Sequence, residues 1–258
     1  MKTNKQNIIR FLQAIFILLM GGLFVFIFTA SKVKQGEVIC HDIKVDIDSD
    51  ESDLYFLEES DILKLLTDNG QEIVINQPMA KIDLSAIENR LKQNEFISNA
   101  EVYTNFEGLM MVDVEQKKPM YRVINNSGVS YYISESGTKM PLSTKFTPRL
   151  LVATGNIPVV DDINEDVINQ DLTLLVDFIY ADAFWDAMIG QIYVENGGEF
   201  VLIPKIEGHT IQLGTIDDVE EKFKKLKLFY EQAIQYTAWE KYKTINLKYE
   251  GQIVCTKK

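Results

Sequence analysis

The first pattern along the chain is a long apolar run near its start. Residues 11–30 read FLQAIFILLMGGLFVFIFTA, with Gln13 as the only strongly polar side chain. A helix rises about 1.5 Å per residue, so a run of this length covers the roughly 30 Å hydrocarbon core of a bilayer. The run is preceded by basic and no acidic side chains, at Lys2, Lys5 and Arg10. The pattern predicts a cytoplasmic tail at 1–10 and a transmembrane helix at 11–30.

A cleaved signal peptide is the alternative to an uncleaved anchor. Thr29-Ala30-Ser31 supplies the small residues of a cleavage site. The apolar run is longer than the roughly 7–15-residue hydrophobic region of such peptides, which favours the anchor. With either one, the rest of the chain is predicted to lie outside the cytoplasm, and the anchor predicts a single-pass protein of the cytoplasmic (inner) membrane.

Beyond a linker at 31–37, residues 38–117 have the pattern of a small α+β domain. At its start, apolar and charged side chains alternate, which predicts a half-buried strand. Two short helices are predicted next, the first capped by Ser60 and the second starting near Asp83. Alternating residues on both sides of a turn at Glu107-Gly108 then predict a hairpin. The predicted order is β-α-α-β-β.

A basic-proline junction, Lys117-Lys118-Pro119, leads into a second domain at 118–258. Alternating runs predict strands near residues 120–124, 129–133, 150–154, 191–195, 199–203 and 210–213, and closing strands within 245–255. Two helices are predicted here, one over 168–179 and one from Asp217, where acidic residues in the first turns favour a helix N-terminus. The second domain is therefore predicted to be mostly β with two helices.

The charge of the chain limits its partners. There are 26 basic and 38 acidic residues, a net charge of −12, and only basic residues among the first ten. The remainder carries 23 basic and 38 acidic residues, a net charge of −15. Such a field argues against nucleic acid, and against a flat anionic membrane surface, as the main partner.

Residues that could carry catalysis or hold a metal do not converge. The two histidines, His41 and His209, stand beside no G-x-S-x-G nucleophile motif. The sequence has no zinc-type C-x-x-C spacing, and Gly197-Gly198 suits a hairpin turn better than a phosphate loop. The sequence therefore predicts a non-enzymatic protein with no catalytic, cofactor-binding or metal-binding residues and no small-molecule substrate.

The two cysteines lie near opposite ends of the exported part. A disulfide needs Cα atoms within about 7 Å of each other, which two separate domains seldom provide. A bridge between Cys40 and Cys255 remains an alternative. Free, buried thiols are favoured.

Three segments resemble the FtsQ/DivIB family of bacterial cell-division proteins. LSAIENRLKQNEFISNAEVYTNFEGLMMVDVEQKKPMYRV, at 84–123, is similar to the second helix, the strand pair and the basic-proline junction of the family's POTRA domain. GVSYYISESGTKMPL, at 128–142, is similar to the opening hairpin of its β domain, and YKTINLKYEGQIVCTKK, at 242–258, to its closing strand. The sequence of this last segment resembles that of Bacteroidota-like members. Taken in order, all these parts together cover almost the whole chain.

The resemblance implies a divisome scaffold at the division septum of the cell inner membrane. Such proteins bind two other single-pass division proteins, FtsB/DivIC-like and FtsL-like, and so control septal peptidoglycan synthesis. The family's main contact is β-augmentation, in which the partner adds a strand to the last exposed sheet edge. The alternative is an envelope POTRA protein that assists outer-membrane assembly or secretion.

Matching the closing strand residue by residue implies a partner-binding site in this chain. Its predicted members are Lys248, Tyr249, Gly251, Gln252 and Ile253. The chain departs from the family at 252–255, which is bulkier, and lacks the family's terminal aromatic residue. For Tyr249 two readings remain open, a contact residue or a core residue on the face of Ile245 and Leu247.

Overall fold

The computed structural model describes residues 16–24, 38–48, 56–206, 208–234 and 241–258. Contacts divide the chain into two compact units, which are described separately below. The first unit takes Met1–Asp53 and Leu57–Gln116, and the second takes Leu54–Phe56 and Lys117–Lys258.

The predicted transmembrane helix falls largely outside the described residues. Within it, residues 16–24 form helix α1, and all of their side chains are exposed. Among the residues that are described, no helix combines the length and the apolar character needed to cross a bilayer. The predicted tail at 1–10 and linker at 31–37 also lie outside the described part.

The first unit contains the predicted β-α-α-β-β order. In its described residues, the strands are β1 (Asp42–Asp48), β2 (Ile97–Thr104) and β3 (Leu109–Gln116), and the helices are α2 (Glu59–Leu66) and α3 (Leu84–Lys92). We call the three strands the small sheet. Its order is β1-β3-β2, with β1 parallel and β2 antiparallel to β3. Both helices bury their apolar stripes in one core with the inner side chains of β2 and β3.

Carboxylates, and not the predicted serine, begin the two helices of the first unit. Helix α2 starts one residue before Ser60, and the side chain of Asp61 accepts a hydrogen bond from the N–H of Glu58 at 3.0 Å. In α3, the carboxylate of Asp83 accepts from the N–H of Ala86 at 3.0 Å. Each satisfies a donor that would lack a partner inside the helix.

The second unit is built on one mixed sheet, which we call the large sheet. Its described strands are β4 (Pro119–Asn125), β5 (Ser130–Ser134), β6 (Lys139–Met140), β7 (Leu151–Gly155), β8 (Ile189–Val194), β9 (Phe200–Pro204), β10 (Thr210–Gly214), β11 (Tyr242–Asn246) and β12 (Val254–Lys257). The strand order across it is β12-β11-β10-β9-β8-β7-β4-β5-β6. The two short strands β6 and β12 therefore occupy its edges.

Three α-helices accompany the large sheet in the described residues, one more than the sequence predicts. They are α4 (Val167–Tyr180), α5 (Ala183–Met188) and α6 (Val219–Phe229), which continues as a π-helical turn over Tyr230–Ile234. The unpredicted helix is α5. It has only six residues, and a segment this short does not show the 3.6-residue period from which helices are predicted.

Aromatic side chains from the helices fill the core above the large sheet. Trp185 of α5 and Phe223 of α6 meet edge to face with ring centroids 4.9 Å apart, and Phe178 of α4 lies 4.8 Å from Phe223. Such pairs contribute about 0.5–1.5 kcal/mol beyond the burial of their area. This core packs on the middle strands of the large sheet. The two edge strands, β6 and β12, differ from each other in what lies beside them.

Candidate partner-binding edge

One edge of the large sheet is covered by the protein's own chain. The N–H of Lys139 in β6 donates to the carbonyl of Asp161 at 3.1 Å, and the N–H of Ile163 donates to the carbonyl of Gly137 at 3.2 Å. Thr138 and Asp162 also form an isolated antiparallel bridge. The segment at 161–163 therefore occupies the pairing positions that β6 would offer another strand.

The other edge has a different environment. On one side β12 pairs antiparallel with β11. On its outer side, none of the described residues pairs with it. An unpaired edge presents a row of backbone N–H and C=O groups that can template an incoming strand.

The hydrogen bonds of β11 fix which of its backbone groups face β12. The N–H of Leu247 donates to the carbonyl of Gln212 in β10 at 2.9 Å, so the backbone of Leu247 faces β10. Backbone groups of successive residues in a strand point to opposite sides. Ile245 therefore faces β10 as well, and Thr244 and Asn246 face β12.

The same alternation then identifies the outward residues of β12. Asn246 and Thr244 are in register with Val254 and Thr256, so the backbone groups of these two residues are directed inward, to β11. Cys255 and Lys257 consequently direct their N–H and C=O groups to the outer side. These two residues form the backbone face of the candidate site, and we call them the open edge.

The five predicted site residues lie in the turn between β11 and β12. They are Lys248, Tyr249, Gly251, Gln252 and Ile253, and β11 ends before all of them, at Asn246. The side chain of Asn246 accepts from the N–H of Lys248 at 2.9 Å, a local bond that favours a turn over a continued strand. Gly251 has a φ of 65°, a left-handed conformation that glycine adopts readily.

Two lysines hold this turn against the body of the second unit. Lys225 of α6 donates from Nζ to the carbonyl of Tyr249 at 3.0 Å, and Lys248 forms an ion pair with Glu199. Partly exposed ion pairs contribute at most about 1 kcal/mol each. Their consequence here is mainly positional, because they fix the turn to α6 and to Glu199, the residue before β9.

The side chains of the turn divide into one group that packs inward and one that meets solvent. Ile253 packs against the core, whereas Gln252 is exposed and Tyr249 is 50% exposed. Tyr249 is thus outside the core, unlike Ile245 and Leu247, which are fully buried. Of the two readings left open for Tyr249, this exposure disagrees with the core reading, and the contact reading stays a prediction.

Sequence reasoning missed the residues that form and support the open edge. Cys255 and Lys257 supply its backbone groups, and Lys225 and Glu199 support the turn from distant positions in the chain. The apolar run at 253–255 was a signal for the strand itself. No local signal identifies the outward backbone groups, because they depend on pairing with β11.

Two titratable groups in this unit, Cys255 and His209, have shifted pKa values. Burial raises the pKa of the Cys255 thiol, which keeps it protonated and weakly nucleophilic. Burial, with the positive charge of Lys258 second, lowers the pKa of His209, whose Nε2 lies 2.8 Å from the hydroxyl of Tyr230. In the part of the chain that is described, no three His, Cys, Asp or Glu side chains are grouped to hold a metal ion.

The described residues combine a small β-α-α-β-β unit with a second, mostly β unit. Residues 38–115 match the family described as POTRA-like domain, and residues 118–256 match the family described as FtsQ/DivIB, C-terminal related. The second match alone spans more than half of the chain, so the chain belongs to the FtsQ/DivIB family, and the predicted resemblance is confirmed. A comparison with curated proteins found no match.

Proposed function

We propose that this protein is a non-catalytic scaffold of the bacterial cell-division machinery, inserted in the cytoplasmic membrane at the septum. Its N-terminus lies in the cytoplasm and both described units lie outside it. It binds FtsB/DivIC-like and FtsL-like single-pass proteins and thereby regulates septal peptidoglycan synthesis. The observation that carries the proposal is the open edge of β12 in a chain of the FtsQ/DivIB family.

Binding proceeds by strand addition. An extended partner segment aligns along β12 and exchanges hydrogen bonds with the backbones of Cys255 and Lys257. A net contribution of about 0.5–1.5 kcal/mol per hydrogen bond is modest, so side-chain contacts are needed as well. Tyr249 and Val254 supply them, since both expose apolar surface next to the strand. Aromatic residues are enriched in the cores of protein interfaces.

A matched pair of substitutions separates the backbone contribution from that of the side chain. Lys257→Pro removes one outward N–H, and proline is tolerated at edge positions whose N–H faces away from the sheet. Lys257→Ala removes the charge and keeps the N–H. We expect the full chain carrying Lys257→Pro to fold and to lose co-purification of its FtsB/DivIC-like partner. Lys257→Ala should retain most of it.

The outcomes of this experiment are distinct. Equal binding by a folded Lys257→Pro variant and by the parent chain would rule out strand addition at this edge. A fluorescent fusion to the chain adds a second check in dividing cells. A mid-cell ring agrees with the division scaffold, whereas an even envelope signal supports a general envelope POTRA protein.

A further inference from the structure

The topology of the small sheet brings the start of the first unit beside the β2–β3 turn. Strand β1 is parallel to β3, with Asp42 opposite Leu109. Because β3 begins directly after the turn at 105–108, β1 begins at the same end. The N–H of His41 donates to the carbonyl of Gly108 at 2.8 Å. The start of the described part of this unit, at 39–41, therefore lies next to this turn.

Large apolar side chains are exposed at this end. Phe106, at the turn, is 86% exposed. Ile39 lies against the turn, because a Cβ built on Gly108 would come within 2.3 Å of the Ile39 carbonyl oxygen. The backbone N–H of Asn76 donates to the carbonyl of Cys40 at 2.8 Å. This bond places the backbone of Ile75 close to that of Ile39. We call Ile39, Ile75 and Phe106 the apolar tip.

The opposite end of the small sheet carries concentrated negative charge. Its carboxylates form two neighbouring cross-strand rows, Asp46–Asp113–Glu101 and Asp48–Glu115. They line a shallow cavity of about 450 Å³. The next row toward the turn carries the exposed Lys44 beside Met111 and a half-exposed Tyr103. The carboxylate rows thus end before the turn, although Glu107, Asp42 and His41 are also exposed near it.

The length of chain before the first unit limits how far this end can lie from a membrane. Only residues 31–37 separate the predicted anchor from Val38. Even fully extended, such a segment spans less than about 30 Å. The eight residues of β2 extend about 26 Å further, to the acidic end. This length therefore keeps the tip within about 30 Å of the predicted anchor, whereas the acidic end can lie about 26 Å further away.

We propose that the apolar tip inserts into the interfacial layer of the bilayer that holds the anchor. This inference rests on the membrane insertion in the proposed function. Withdrawing apolar side chains such as Phe106 from water is favourable, and the amphipathic rings of Trp and Tyr are enriched at membrane interfaces. Residues 38–116 carry 5 basic and 18 acidic residues, a net charge of −13. The contact is consequently apolar, and it suits zwitterionic better than anionic headgroups.

The test uses the full chain reconstituted in phosphatidylcholine vesicles that contain brominated lipid, which quenches tryptophan fluorescence on contact. Phe106→Trp places the probe at the tip. Glu95→Trp is the matched control, since Glu95 is exposed and precedes β2 at the opposite end. The native Trp185 and Trp239 contribute the same background to both variants. We expect at least twofold stronger quenching of the added tryptophan in Phe106→Trp than in Glu95→Trp.

Flotation of the vesicles, measured on the same samples, reports whether the anchor is inserted. Equal quenching of the two probes in a chain that floats overturns the inference and leaves the proposed anchor intact. A chain that does not float contradicts the proposed membrane insertion, and the inference fails with it.

Replacing half of the phosphatidylcholine by phosphatidylglycerol should lower the quenching of Phe106→Trp. An increase would contradict an apolar contact. Burial of the probe by an added division protein, without lipid quenching, would assign the tip to a protein partner instead.

Discussion

The two edges of the large sheet are both short strands, but only one of them is paired on its outer side with another segment of the described chain. At β6, the segment at 161–163 takes up the pairing positions of the edge. At β12, the backbones of Cys255 and Lys257 face outward, and no described residue pairs with them. A strand that nothing covers is an aggregation hazard that proteins ordinarily suppress. This contrast is the reason that strand addition by a partner is proposed at β12.

The largest expected effect comes from the core that holds both edges in place. Phe223 is fully buried against Phe178 and Trp185. Phe223→Ala should lower the free energy of unfolding by about 3–5 kcal/mol, because it removes a large buried ring and leaves a cavity. Urea unfolding of the purified chain measures this loss. Both edges of the large sheet should unfold in the same transition. An unchanged urea midpoint would contradict the described core.

A pair of glycines compares the covered edge with the open one. Gly137 has a φ of 80°, and a Cβ there would meet the side chain of Ile163 at 2.8 Å, within the segment that covers β6. Gly251 has a φ of 65° in open space. Gly137→Ala should cost about 2 kcal/mol and Gly251→Ala about 1 kcal/mol, since both strain the backbone but only the first adds crowding. Equal costs in urea unfolding would mean that Ile163 moves aside freely.

Tyr249 tests the open edge without disturbing the fold. Because its ring is half exposed and outside the core, Tyr249→Ala should change the unfolding free energy by less than about 0.5 kcal/mol. Partner co-purification should nevertheless fall. A loss of stability as large as that expected for Phe223→Ala would show that Tyr249 is a core residue. Full partner binding at unchanged stability would show that Tyr249 does not contribute to the site.

The smallest expected effect is a pH dependence of the unfolding free energy, caused by His209. The pKa of His209 is lowered from 6.5 by burial and by Lys258, the residue after β12. The unfolded chain therefore binds more protons than the folded one as the pH falls below 6.5, so stability falls with pH in this range. Urea unfolding at pH 7.5 and 5.5 measures the slope. His209→Gln should flatten it, and an unaltered slope would assign the effect to other groups.

Much of the first unit could be predicted from the sequence, because its signals are local. Alternation over 38–48 and around Glu107-Gly108 depends only on which face of a strand each side chain occupies. The start of α3 near Asp83 was predicted correctly, whereas the cap of α2 was not. Glu58 and Asp61, rather than Ser60, begin α2, since several polar residues in succession could each serve as the cap.

The local structure of the predicted site segment differs from what its sequence pattern favours. The alternation of Ile245, Leu247 and Tyr249 is typical of a continuing strand, but the side chain of Asn246 bonds to the N–H of Lys248 and ends it. The predicted site residues therefore lie in a turn. Their role in partner binding stays a prediction.

The sequence by itself determined the family, the order of the elements in the first unit and the place of the closing hairpin. Only the tertiary structure decided that β6 is covered and β12 open, and that the β2–β3 turn shares an end with the start of β1. The physical reason is that hydrophobic periodicity is read within a few residues. Strand neighbours such as β1 and β3, or β6 and the segment at 161–163, are separated by long stretches of chain, so their pairing depends on the packing of the whole unit.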